Sequence, residues 1–230
     1  MYGLPRFSFT AFGAFTIAYV GLPLLGWGIR DLPGFLDQPA RILYLVSAAA
    51  FAFLSAVFTQ DVPGSKGRRG QESKRLKRHT IVLEFVRITH CLTLFAAPYC
   101  DRRDIATAFE ADGVRYAGLA PLILGVTLAV WAAAVLGRQF SEHVTIQDNH
   151  QLITTGPFRV LRHPRYLGAI LYTLGIAIVF RSWVGYAGWL VYVVFILYRI
   201  PAEERLLAGE FGDDWDQYTE KTWRLIPFVF

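Results

Sequence analysis

The sequence predicts an all-α, polytopic membrane helical bundle, and three observations carry that reading. Only 18% of the 230 residues are charged, while 54% are hydrophobic; soluble domains hold roughly 25% charged residues. The apolar residues fall in blocks rather than at helical periodicity: Phe7–Ile29, Ile42–Thr59 and Tyr116–Gly137 carry no charge at all. Each block reaches the ~18–20 residues that cross about 30 Å of hydrocarbon. Lysine and arginine are also spread unevenly about the blocks, which gives the bundle an orientation.

About six spans fit, at 7–29, 40–59, 80–99, 115–137, 166–181 and 182–199. The first is longer than the apolar core of a signal peptide and lacks a small-residue cleavage site, so it is expected to be retained. With the N-terminus inside, inner segments hold 16 lysines and arginines and outer segments hold six: Arg30, Arg41, Arg102, Arg103, Arg115 and Arg181. Arg87 lies within the third span. This bias places both termini and the 138–165 loop in the cytoplasm.

The 60–79 segment is strongly basic, with Lys66, Arg68, Arg69, Lys74, Arg75, Lys77 and Arg78 against Asp61 and Glu72. Between two apolar spans this charge fits cytoplasmic retention and contact with anionic membrane lipids, not nucleic-acid binding. In the third span Glu84, Arg87 and His90 lie roughly along one helical face. They are expected to pair structurally rather than to line a pocket.

The last two spans are short and form a helical hairpin with Arg181-Ser182-Trp183 at its tip. Pro201 is expected to kink or restart the chain beyond it. Glu203–Phe211 then continues as a helix, Gly212 stops it, and Asp213 caps a short final helix. Trp215, Tyr218 and Trp223 give this cytoplasmic tail an amphipathic, interface-seeking side. The chain divides into N-terminal spans, 1–135, and a functional core, 136–230.

Chemistry concentrates in that core. Two cysteines, Cys91 and Cys100, are too few for a disulfide framework. No P-loop, Gly-x-Gly-x-x-Gly fingerprint or histidine box is present, and no metal site is expected. The dense polar tract is Gly156-Pro157-Phe158-Arg159-Val160-Leu161-Arg162-His163-Pro164-Arg165-Tyr166-Leu167-Gly168. Ionisable groups at a membrane border are costly to dehydrate and mark a site.

Leu136-Gly137-Arg138-Gln139-Phe140-Ser141 and His150–Arg159 precede the Arg162-His163-Pro164-Arg165-Tyr166-Leu167-Gly168 segment. Arg199-Ile200-Pro201-Ala202-Glu203-Glu204-Arg205-Leu206, Phe211–Tyr218 and Ile226-Pro227-Phe228 follow. In this order the segments resemble the isoprenylcysteine carboxyl methyltransferase family, within the wider group of membrane methyltransferases that includes phospholipid methyltransferases. The resemblance covers about 95 residues. It implies an S-adenosylmethionine-dependent methyltransferase acting on a lipophilic acceptor, most directly the carboxylate of a prenylcysteine-like substrate.

The resemblance further implies a cofactor side formed by His150, Leu152, Gly156, His163, Pro164, Tyr166 and Gly168, closed by Glu203 and Glu204. Arg199 would lie by the acceptor carboxylate, with Arg199 and Glu204 the catalytic candidates. The residues themselves agree: His163 and Tyr166 supply donors, Pro164 suits a first helical turn, and the helix start favours an anion. Glu203 and Glu204 supply acceptors and favour a cation. A carboxylate acceptor needs no general base, and catalysis is then alignment. A thiol or amine would need one, with Glu84, His150 or Glu204 as candidates. Phospholipid amines, small thiols and an NADPH-dependent reduction on a related fold are the alternatives.

Overall fold

The computed structural model describes residues 7–58, 74–137 and 151–229, and every regular element among them is helical. Helix α1 spans Phe9–Trp27 and is followed by short α2 (Leu32–Leu36), α3 (Pro39–Phe58) and α4 (Lys74–Arg102). Next come α5 (Val114–Leu136), a 3₁₀ turn at Gly156–Arg159, α6 (Pro164–Val179), α7 (Trp183–Phe211) and α8 (Asp213–Glu220). Four of them, α1, α3, α5 and α7, are long and apolar enough to cross a membrane. Helix α6 is apolar but shorter, and α4 contains the expected third span.

Local chemistry explains the helix limits and their irregularities. Ser8 caps α1 by accepting from the Ala11 amide at 3.2 Å. Within α1, Ile17–Gly21 forms a π turn ahead of Pro23. Pro23 has no N–H for the Tyr19 carbonyl four residues earlier. The Tyr44 hydroxyl of α3 donates to that carbonyl instead, at 2.7 Å, so the orphaned acceptor joins two helices.

Helices α5 and α6 approach backbone to backbone. Gly118 and Gly125 on α5 face Gly168 and Gly175 on α6. A Cβ at Gly125 would meet the Tyr172 nitrogen at 2.4 Å, and one at Gly168 would meet the Ala129 nitrogen at 2.8 Å. Small residues permit such contact where no hydrophobic force drives helices together. The expected boundary at 135/136 falls in the last turn of α5, the helix that packs against α6.

The α6–α7 hairpin forms as expected, with its tip at Arg181-Ser182. Arg181 has φ 47°, and Ser182 caps α7 by accepting from the Gly185 amide at 3.3 Å. Two details differ from expectation. Helix α7 runs unbroken through Pro201, so its 29 residues span about 43 Å and the last span is not short. Proline costs one bond, to the Leu197 carbonyl, and tertiary packing around Ile196 and Ile200 outweighs that loss. Gly212 does stop α7, at φ 51°, and it is also the cap of α8 in place of Asp213.

The tail differs as well. Trp215 and Tyr218 are buried, and the Tyr218 hydroxyl donates to the Phe158 carbonyl at 2.8 Å. Their face of α8 packs on the protein, while Ile226, Phe228 and Val229 are the exposed apolar residues of the tail. Amphipathicity alone does not distinguish a lipid interface from a protein groove.

Candidate active site

Two buried polar centres sit at opposite ends of the bundle. One end gathers the start of α1, the ends of α3 and α5, and the α6 start with the far half of α7; Ser8 N, for example, bonds the Ala56 carbonyl at 2.9 Å. The sequence-predicted tract lies here. His163 is the cap residue of α6 and is only 5% exposed, with Pro164 in the first turn as expected. The amides of Tyr166 and Leu167 both bond the His163 carbonyl, at 3.1 Å each, so the helix itself uses these two donors.

The His163 ring stacks on Tyr166, with centroids 5.5 Å apart and planes 13° apart. The Tyr166 hydroxyl donates to Glu203 Oε2 at 2.5 Å. Arg199, one turn before Glu203 on α7, holds its guanidinium 5.9 Å from the Tyr166 ring centre and its Nε 3.9 Å from Glu203 Oε2. Glu203 keeps 30% of its side chain exposed and Arg199 keeps 12%. One aromatic hydroxyl, one guanidinium and one partly exposed carboxylate thus meet where α6 and α7 pack together.

Glu204 behaves differently. Its Oε1 lies 3.0 Å from Arg162 Nε and 3.4 Å from His163 Nε2. Its Oε2 accepts from Arg224 Nε at 2.9 Å, and Arg224 Nη2 is equally close. Both oxygens are therefore engaged by cationic or donor side chains, and the residue is 9% exposed. A carboxylate so held is a structural hub and a poor proton acceptor.

The other expected site residues are placed as follows. Gly156 sits at φ 60°, where an added Cβ would strike Val135 Cγ2 at 2.8 Å. Leu152 is half-buried in the segment leading to the turn. Gly168 is buried against α5, where it packs on Gly125 and Ala129. His150 and most of the basic 60–79 segment lie outside the described residues. In α4, Glu84 and Arg87 pair at 3.3 Å, as expected of a structural pair. His90 does not join them; its Nε2 lies 3.2 Å from the Tyr19 hydroxyl.

The opposite end holds a centre that reading the sequence missed. Asp101, with no exposed side chain, is surrounded by Arg115 at 2.7 Å, Arg181 at 3.4 Å and Arg41 at 3.5 Å. Arg115 grips both oxygens, through Nη1 to Oδ2 and Nη2 to Oδ1 at 2.9 Å. Asp112 adds a bond from Arg115 Nε at 2.9 Å. That hydrogen bond, with the charges of Arg115, Arg181 and Arg41, outweighs burial and holds the Asp112 carboxyl below its usual range. Three of the six arginines counted as outer flanking charges are thus neutralised inside the protein. The available signal was one arginine at the same end of each of three apolar blocks, with Asp101, Asp104 and Asp112 in the segment between the third span and Arg115.

A bundle of apolar helices long enough to cross a membrane defines a polytopic integral membrane protein, and its His–Tyr–Arg–Glu constellation gathers at one end. Residues 117–209 match the family model of the isoprenylcysteine carboxyl methyltransferase family. The chain is 28% identical over 169 residues to a probable protein-S-isoprenylcysteine O-methyltransferase of Oryza sativa subsp. japonica, covering 71% of this chain and 84% of that protein. It is 34% identical over 111 residues to the protein-S-isoprenylcysteine O-methyltransferase of Schizosaccharomyces pombe, 47% of each chain. The solved structure of the eukaryotic intramembrane Ras methyltransferase shares the fold, with TM-score 0.50 and 18% identity over 95% of this chain and 98% of that one. Residues 117–209 are thus similar to the isoprenylcysteine carboxyl methyltransferase family, and the chain as a whole shares the fold of that solved structure. The match begins on α5, earlier than the segment that carries the resemblance in sequence.

Proposed function

We propose that this protein is an integral membrane methyltransferase that uses S-adenosylmethionine to methylate the carboxylate of a prenylcysteine-like acceptor. The observation that carries the reading is the cluster of Tyr166, Arg199 and Glu203, on a chain whose relatives are named for isoprenylcysteine O-methylation. The donor set fits a cofactor that bears both charges: Glu203 offers a partly exposed carboxylate for a cationic group, and His163 and Tyr166 offer ring and hydroxyl partners. When bound, the cofactor supplies an electrophilic methyl group on a sulfonium.

Each residue then has a distinct task. Arg199 orients the acceptor carboxylate, which is ionised at neutral pH and needs no general base. Tyr166 fixes the Glu203 carboxylate through its hydroxyl. Glu204 holds the His163 ring and the neighbouring arginines in place. Catalysis rests on proximity and alignment of two groups drawn from different phases, one from water and one from the bilayer. The apolar part of the acceptor enters between helices, and the cofactor from the polar end.

That end faces the cytoplasm in this proposal. Arg159, Arg162, Arg165, Arg199, Arg205, Lys221 and Arg224 all cluster there, and positive charge is retained inside. Isothermal titration of the purified protein tests the cofactor class. S-adenosylhomocysteine binds and NADPH does not; the reverse pattern rejects the transferase in favour of a reductase.

A further inference from the structure

We propose that Arg224 is a positioning residue of the transfer site, acting through Glu204, and that the C-terminal segment carrying it is a built-in part of that site. This rests on the function proposed above. Residues 222–226 do not trail from the bundle. They form a strap laid along the segment that opens α6: the Trp223 amide bonds the Val160 carbonyl at 3.0 Å, the Arg162 amide bonds Trp223 at 2.7 Å, and the His163 amide bonds Arg224 at 3.0 Å. Arg162 Nη1 adds bonds to the Thr219 and Thr222 carbonyls at 2.9 and 3.0 Å. Leu225 is 4% exposed and packs with Val86, Ile196 and Ile200, which pins the strap into the bundle.

His163 is therefore held twice by one residue of the strap. Its amide bonds the Arg224 carbonyl directly, and its ring meets Glu204, whose other oxygen is gripped by the Arg224 guanidinium. The connection continues from the His163 ring to Tyr166 by stacking and from the Tyr166 hydroxyl to Glu203. The groups facing Glu204 are Arg162 and His163 from the α6 entry and Arg224 from the strap. Removing the Arg224 side chain leaves a buried carboxylate short of one cation and free to pull His163 or Arg162 toward its second oxygen. Arg224 touches neither reacting group in this arrangement.

A double-mutant cycle tests this, with S-adenosylhomocysteine affinity read by titration and folding by thermal melting. Arg224→Gln weakens binding by about tenfold or more, the scale of a hydrogen bond to a charged group, and Arg224→Lys recovers most of it. In a Glu204→Gln background, Arg224→Gln adds no further loss, because its target is gone. Equal losses in both backgrounds, or unchanged affinity in Arg224→Gln, overturn the inference while leaving the methyltransferase reading intact. If Arg224→Gln does not fold, Arg224→Met, which keeps the apolar stem and removes the charge, carries the cycle. A wild-type protein that does not bind S-adenosylhomocysteine rejects the site reading, and this inference with it.

Discussion

The Tyr166 hydroxyl donates to Glu203 Oε2 at 2.5 Å, joining the start of α6 to the polar half of α7. Tyr166 comes from the Arg-His-Pro-x-Tyr tract and Glu203 from the Glu-Glu pair, 37 residues further along the chain. The hairpin between them is long enough to cross to the far end of the bundle and return. The bond is thus the point at which the two halves of the motif meet.

Tyr166→Phe removes this bond and keeps the ring that stacks on His163. Loss of a hydrogen bond to a charged group costs about 1.5–3 kcal/mol, so affinity for S-adenosylhomocysteine falls roughly 10- to 100-fold. Titration of the purified variant checks this. Unchanged affinity in a folded variant separates Tyr166 from cofactor binding.

Asp101→Asn leaves Arg41, Arg115 and Arg181 buried without their shared carboxylate. Breaking a buried charge network by removing one partner costs on the order of 3–5 kcal/mol. The melting midpoint drops markedly, and protein that remains folded binds S-adenosylhomocysteine normally, since the centre lies at the opposite end from His163. A variant with wild-type stability shows that the network is dispensable.

Asp112 provides a pH signature of the same centre. Its carboxyl is held low by the Arg115 hydrogen bond and by three arginine charges against a raising effect of burial. A carboxylate with a depressed folded value contributes stability that is present above its unfolded value, near 3.8, and lost as pH falls through the folded one. Wild-type stability therefore falls more steeply than that of Asp112→Asn below about pH 4. Parallel acid unfolding curves for the two proteins remove Asp112 from the network.

Gly168 was expected at the cofactor and is found against α5, which makes the two roles separable. Gly168→Ala and Gly125→Ala both force α5 and α6 apart, since the added carbon meets backbone at 2.8 and 2.5 Å or less. Both variants lose thermal stability together. A Gly168→Ala protein that melts normally but fails to bind S-adenosylhomocysteine restores the cofactor role.

The parts of the fold legible in the sequence were those written in consecutive residues. Uncharged blocks announced α1, α3 and α5, Gly212 announced the end of α7, and the Arg-His-Pro-x-Tyr tract with the Glu203-Glu204 pair carried the resemblance from which a site was expected. What was not legible depends on which distant segments meet. Asp101 is one ordinary acidic residue until the ends of three helices bring arginines to it. The two glutamates look equivalent in sequence, and only the fold gives Glu204 its three partners while leaving Glu203 accessible. Trp215 and Tyr218 form an apolar stripe that fits a membrane surface or a protein groove equally well, and the groove won because Phe158 and the α6 entry lie beneath it. Pro201 favours a break on local grounds, and the packing of Ile196 and Ile200 keeps the helix whole.

Methyl transfer itself tests the account most directly. Purified protein in lipid nanodiscs is supplied with S-adenosylmethionine labelled on its methyl group and with farnesyl-cysteine, alongside an Arg199→Ala variant. The account predicts base-labile label on the farnesyl-cysteine carboxylate from the wild-type protein and its near-complete loss in Arg199→Ala. Label appearing only on a lipid amine or a thiol, or equal transfer by both proteins, contradicts it.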